Sequence, residues 1–245
     1  MSTKLLQMIG EGEHQHQDFK FCISDSRKIA RSLVAFANSE GGSLLIGVKD
    51  NGHIVGVQSD EEYYMVESAA RIYSRPPVAF TTRQWTAGGK TVLQVVVSPS
   101  LEKPHFAKDE NGKWMAWVRH RDENRMAPRV LIDVWNRERQ PSGVLVRLDE
   151  SQKFLLDYLR KYDFITVSAL ARKGCLPFRK AEQLLADFIV IGILEPFFGE
   201  NNILYKLNPR FDLEAWSTSW GNPRSVSPER KRRGGDSPKA EGFTA

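Results

Sequence analysis

The sequence predicts an α+β fold: a mixed sheet with helices packed on it, followed by a smaller helical unit and a polar tail. Three observations predict it. Residues 25–57, DSRKIARSLVAFANSEGGSLLIGVKDNGHIVGV, read as helix, glycine turn, strand, tight turn and strand. Strand-like alternation recurs in VAFTTRQW, KTVLQVVVS and WMAWVRH. Beyond residue 150 three helical patterns precede two short apolar runs.

The elements follow in order. MSTKLLQMIG carries a short apolar patch, Leu5, Leu6, Met8 and Ile9, and passes into the polar run GEGEHQHQ. It has neither the apolar core nor the small-residue cleavage pattern of a signal peptide. Asp18-Phe19-Lys20-Phe21 alternates as a half-buried strand does. Asp25 is an N-cap, and Ile29, Leu33, Phe36 and Ala37 recur at helical spacing. Asn38 and Gly41-Gly42 end that helix, because glycine accepts the left-handed backbone that stops one. SLLIGV is a buried strand, Asp50-Asn51-Gly52 supplies hairpin turn chemistry, and HIVGV is expected as the partner strand.

Asp60-Glu61-Glu62 opens a second helix whose acidic first turn complements the helix dipole. Tyr63, Val66, Ala70 and Tyr73 make its stripe, and it ends before Pro76-Pro77. VAFTTRQW and KTVLQVVVS pair through Ala87-Gly88-Gly89. Residues 99–112 form a loop holding Lys103-Pro104-His105, WMAWVRH is a strand, and Pro128 starts a helix with Val130, Val134 and Trp135. The first domain thus spans 1–137, with about six strands and two or three helices.

Residues 138–149, around Pro141-Ser142-Gly143, read as a linker. Residues 151–162 are an amphipathic helix with Phe154, Leu155, Tyr158 and Leu159. A short helix over 167–173 stops at Gly174, and Pro177 opens a third with Ala181, Leu184, Leu185 and Phe188 inside. GILEPFFG and NNILYKLN follow as two strands. Three helices and then a β-hairpin is the order of a winged helix-turn-helix, assigned to residues 150–216. Residues 217–245 are rich in Pro, Ser, Gly and charge, too poor in apolar groups to offset their ordering entropy, and are expected to be a disordered basic tail. Trp216 and Trp220 are placed to dock at its base, and Arg230-Lys231-Arg232-Arg233 offers a phosphate-binding or solubilising run.

The chain has 245 residues, a formal net charge of +5 and a pI near 9.2, a mildly basic balance that permits a polyanionic partner. Cys22 and Cys175 are the only cysteines and make neither a disulfide framework nor a zinc set, which fits free thiols in a reducing cytoplasm. No apolar run approaches the roughly 18 residues that span a bilayer.

AFANSEGGSLLIGVKDNGHIVGV resembles the signature of the Schlafen-type AlbA-like domain, AFAN-x-x-GG-x-hhhGhxDxGxhxG with h apolar. Glu13-His14-Gln15-His16-Gln17-Asp18-Phe19-Lys20 resembles that family's opening E-x-x-x-x-E-F-K, with Asp18 in place of the second Glu. Trp117-Val118-Arg119 followed by Asn124-Arg125 resembles its closing strand and R-x-G-x-x-N-R ending. The resemblance covers residues 9–127. It implies a nucleic-acid-associated domain that pairs with a second copy. In the ribonuclease members the positions of Glu13, Asp18 and Asp50 form an acidic, metal-dependent site; Mg²⁺ or Mn²⁺ held there would polarise a phosphate and activate a water. Turn chemistry by itself also accounts for Asp50, and a solvated loop for Glu13.

Lys20, Lys49, Arg119, His120, Arg121 and Arg125 lie on strands or strand ends; on one face they would neutralise phosphates and bind in a salt-sensitive way. Arg172, Arg179 and Lys180 would contact DNA phosphates from the winged helix. Gly41, Gly42, Gly47, Gly52 and Gly56 match neither G-x-x-x-x-G-K-[ST] nor G-x-G-x-x-G, so an ATP phosphate loop is not supported. His14, His16, His53, His105 and His120 are scattered without a zinc motif. The expected function is nucleic-acid binding, DNA first and regulatory in character. The alternatives are a metal-dependent endoribonuclease and an assembly module that touches no nucleic acid.

Overall fold

The computed structural model describes residues 3–57, 60–140, 149–200 and 202–212. The linker centred on residues 141–148 and the tail over 217–245, with Trp216 and Trp220, lie outside the described residues. The chain opens with α1 (Thr3–Glu11), where the sequence showed only an apolar patch. Leu5 is fully buried there, beside Phe19, Leu45 and Trp85, so the helix is held by tertiary packing rather than by its own short length.

Two four-stranded sheets follow. The first is mixed and runs in the order β1 (Gln17–Lys20), β2 (Gly42–Ile46), β5 (Lys90–Val97), β4 (Thr81–Ala87). β1 pairs parallel to β2, and the remaining neighbours are antiparallel. The second is antiparallel in the order β3 (Ser74–Arg75), β6 (Phe106–Lys108), β7 (Trp114–His120), β8 (Glu123–Met126). The α+β class with a mixed sheet is as the sequence predicts. β3, β6 and β8 are too short to show an alternating pattern and went unread.

α2 (Ser26–Asn38) lies between the sheets. Its N-cap is Asp25, whose side chain accepts from the Arg27 N–H at 2.9 Å. Ile29, Ala30 and every residue from Ser32 to Asn38 are buried. Packing on all sides, rather than on one stripe, explains the run LVAFAN. Asn38 supplies the polar link. Its Nδ2 donates to the carbonyls of His105 and Trp117, both at 2.9 Å, and its Oδ1 accepts from the His105 N–H at 2.8 Å. Thus the final residue of AFAN pins the helix to the second sheet.

The glycine pair that follows is fixed by space. A Cβ on Gly41 would come within 2.7 Å of the Val97 carbonyl, and Gly41 has φ +79°. A Cβ on Gly42 would collide with the Phe36 ring. The strand expected over HIVGV does not form as a ladder. Only a single bridge, Val48 to Ile54, joins it to β2's extension. Gly47 and Gly56 cross so closely that a Cβ on Gly47 would lie 2.8 Å from the Gly56 carbonyl carbon, and the Val55 and Gly56 N–H groups both donate to the Gly47 carbonyl. The chain turns at Gly47 (φ +94°) rather than continuing as a strand; β2 is paired by β1 and β5 instead. α3 (Glu61–Arg71) buries Val66, Ala69 and Ala70. Tyr63, expected on the inner face, is exposed.

α4 (Arg129–Glu138) packs on both of its faces. Leu131 and Trp135 join Ala116, Val118 and Ala127 beside the second sheet. Val130 and Val134 join the core of α5 (Glu150–Lys161), α6 (Val167–Lys173) and α7 (Phe178–Val190). β9 (Leu194–Phe198) and β10 (Ile203–Leu207) close this core as an antiparallel hairpin, and a bridge from Ile165 to Tyr205 ties the segment between α5 and α6 to it. The Asp149 side chain caps α5 in a reciprocal box with Gln152. Among the described residues no helix is long and apolar enough to cross a membrane.

Asn38→Ala would orphan the buried His105 N–H and two carbonyls. At about 1 kcal/mol or more for each buried group left unpaired, unfolding free energy should drop by about 3 kcal/mol in urea denaturation with m unchanged.

Candidate nucleic-acid cleft

The loop after α1, strand β1, the N-terminal half of α2 and the turn between β7 and β8 enclose one cleft. Glu13, Asp18 and Asp50 all line it, together with Lys20, Arg119 and Asn124. The three carboxylates that sequence reading singled out therefore share one site, with Asp50 exposed at its rim.

Asp18 is buried and already surrounded by cations and donors. Its Oδ1 accepts from Lys20 Nζ at 3.0 Å and lies 3.6 Å from an Arg119 nitrogen. Its Oδ2 accepts from the Ser32 hydroxyl at 3.2 Å. Asn124 Nδ2 in turn donates to Ser32 Oγ at 2.9 Å, and Arg119 donates to Asn124 Oδ1 at 3.1 Å. Four side chains thus form a closed ring of polar contacts. Arg119 also donates to the Gln17 carbonyl at 2.9 Å and the His14 carbonyl at 3.3 Å. Its side chain is 1% exposed, so it acts as a bracket inside the protein and is not available to a phosphate.

Glu13 completes the pair. Its Oε1 accepts from the Phe19 N–H at 2.8 Å. Burial, then hydrogen bonding with the Asp18 carboxyl, pushes the Glu13 pKa above the ordinary carboxylate range, against the pull of the Phe19 N–H. Among the described residues no group of three His, Cys, Asp or Glu side chains is arranged to hold a metal ion. The residues present do not fit a three-carboxylate metal centre: Lys20 and Arg119 already supply the positive charge that an ion would bring to Asp18.

The other basic residues read from the sequence are dispersed. Lys49 is exposed, with Nζ 5.4 Å from the Phe21 ring centroid. Arg121 is exposed at the β7–β8 turn in a left-handed conformation, φ +57°. Arg125 pairs with Glu123 at 3.0 Å and donates to the Gly199 carbonyl. Arg179 binds Asp133 of α4 through both terminal nitrogens, at 2.6 and 3.1 Å, and also pairs with Glu182. Lys180 is exposed, 3.8 Å from Asp149. Arg125 and Arg179 thus fasten the two parts of the chain together. Cys22 and Cys175 are free and exposed.

A second groove adjoins the cleft and went unread. Arg27, Lys28 and Arg31 of α2 line it with Lys108, Asp109, Glu110 and Trp117. Lys28 and Arg31 line both depressions, which makes them continuous. Both are exposed, and neither forms a salt bridge among the described residues, whereas Arg27 pairs with Asp25 at 3.0 Å. The Arg31 guanidinium sits 5.1 Å from the Trp117 ring centroid, and Lys108 Nζ 5.9 Å from that of Trp114. The signal was present: Arg27, Lys28 and Arg31 fall opposite Ile29, Leu33 and Phe36 on the helix.

A carboxyl whose folded pKa is raised destabilises the fold once pH exceeds its unfolded pKa, and costs nothing below it. Glu13→Gln keeps an acceptor for Phe19 and gives Asp18 a donor. Its melting temperature should exceed the parent's at pH 7, and the gain should vanish below about pH 4, where both proteins are uncharged at this position.

Residues 13–128 match the family model described as Schlafen, AlbA_2. No curated protein matches the chain. Among solved structures, the chain is similar to the DIP2311 protein from Corynebacterium diphtheriae, at 18% identity and a TM-score of 0.43, over 82% of this chain and 37% of that one. It is also similar to the N-terminal domain of an ATP-dependent DNA helicase RecG-related protein from Nitrosomonas europaea, at 25% identity and a TM-score of 0.36, over 48% of this chain and 86% of that one. The present chain thus spans about two fifths of the Corynebacterium protein's length. The family model begins at Glu13 and ends at the N-cap of α4, so it takes in both sheets, α2 and the cleft. Over residues 13–128, just under half of its length, this chain is similar to the Schlafen, AlbA_2 family.

Proposed function

We propose that this protein binds nucleic acid, DNA first, through the groove across the N-terminal half of α2, and that the contact serves regulation rather than catalysis. The observation that carries the reading is the pairing of free cations with indole rings there, Arg31 with Trp117 and Lys108 with Trp114, with the exposed Lys28 lining the same groove. Lysine and arginine neutralise phosphates and release counterions, while indole faces accept bases that leave the stack. Asp25, Arg27 and the acidic wall of the neighbouring cleft limit how far a phosphate backbone extends past Lys28. We read residues 149–212 as a winged helix, from the order α5, bridge, α6, α7 and hairpin.

The co-location of Glu13, Asp18 and Asp50 keeps a ribonuclease as the second reading. The ion pairs on Asp18 speak against it, and no catalytic step is assigned.

Fluorescence anisotropy of labelled DNA and RNA, at two salt concentrations with and without Mn²⁺, tests both readings when each sample is then run on a denaturing gel. Salt-sensitive binding with intact probe is expected. Lys28→Glu/Arg31→Glu should weaken it by at least tenfold and lower the salt slope by about two. Metal-dependent shortening of RNA would replace this reading with the nuclease. Binding to neither polymer would leave an assembly module.

A further inference from the structure

α4 packs against one side of α7. Arg179 holds Asp133 bidentately, Arg137 of α4 pairs with Asp187 at 3.2 Å, and the same arginine donates to the Gln183 carbonyl. Val130 and Val134 of α4 share a core with Ala186. α4 thus covers one side of the helix that would enter a groove in a winged helix, while Phe178, Lys180 and Gln183 stay exposed.

One surface has the chemistry. Tyr158 and Tyr162 lie one turn apart on α5, ring centroids 4.6 Å apart. Just past the helix, Phe164 packs on Phe197 of β9 at 5.4 Å. Tyr162, Phe164 and Phe197 are 48%, 39% and 44% exposed, far more than their apolar area would favour in an unpartnered surface. Three of the four rings carry an ammonium. Lys173 Nζ lies 5.5 Å from the Tyr158 centroid, Lys161 Nζ 5.6 Å from Tyr162, and Lys206 Nζ 5.7 Å from Phe197. Of the nearby acids, Asp157 pairs with Arg160 and Glu195 with Lys206, while Asp163, between Tyr162 and Phe164, is exposed.

We propose that this strip is a stacking surface for single-stranded nucleic acid. The proposal rests on the nucleic-acid reading above and adds a second, strand-type-specific contact to it. The exposed rings offer π-faces to unpaired bases, and Lys161 and Lys173, which form no salt bridge among the described residues, reach the neighbouring phosphates. A duplex, whose bases stay stacked, gains nothing from such rings. Apolar docking to a protein would be served equally by leucines, and the test uses that difference.

The probes are a labelled oligothymidine of about 20 nucleotides and a mixed-sequence duplex of the same length, titrated with the full chain and with Tyr162→Leu/Phe164→Leu/Phe197→Leu. Affinity for the single strand should fall at least tenfold, with duplex binding held within twofold and the melting curve preserved. Should the triple variant unfold, Tyr162→Leu alone is expected to lose at least threefold on the single strand only. A parent protein that binds neither probe overturns the strip and the nucleic-acid reading together. A parent that binds, with the leucine variants unchanged on the single strand or reduced equally on both probes, overturns the strip alone.

Discussion

The structure depends on α2 being buried on nearly every side between two sheets. A helix in that position has no solvent face along its second half, so its side chains must be small or flat enough to pack all round, and its one polar terminus must be satisfied internally. Asn38 meets that need by bonding the backbone of both β6 and β7's flanks. The glycines that follow are the next consequence. With the first sheet drawn against the helix end, no Cβ fits between Phe36 and β2. Only the first two turns of α2 reach solvent, and they carry its charged residues, Arg27, Lys28 and Arg31.

The cleft beside those turns illustrates how one substitution of partners alters a carboxylate. Asp18, Ser32, Asn124 and Arg119 satisfy one another, and Lys20 adds a second positive charge. Burying an arginine this completely is tolerable only with such pairing. The same pairing leaves Asp18 with little negative charge to offer outward, while Glu13 is driven toward its protonated form. Asp18 therefore serves to hold the fold together, and the free cations lie one helical turn away.

Much of this was legible in the chain. Asp25, the glycine pair and the apolar run placed α2 and β2, and Ala87-Gly88-Gly89 marked the turn between β4 and β5. The motif residues Glu13, Asp18 and Asp50 line one cleft, although Asp50 lies exposed while Asp18 is buried. Other features were not local. α1 is held by Phe19 and Trp85 from distant segments, β3 and β6 by pairing over residues 74–107, and the HIVGV segment is kept from a ladder by the Gly47–Gly56 crossing. The burial of Arg119 and the sequestering of Arg179 by Asp133 follow from tertiary partners that no sequence period announces. Lys28 and Arg31 are legible on the polar side of the α2 helix wheel.

Zero-length photo-crosslinking of the full chain to a thymidine-containing oligonucleotide, with the attached peptides mapped by mass spectrometry, tests the account most directly. The account predicts attachment at Trp117 and its neighbours on β7, and at Tyr162 or Phe164 beyond α5. Attachment confined to the opposite side, on α3 or the outer face of β4, would contradict it.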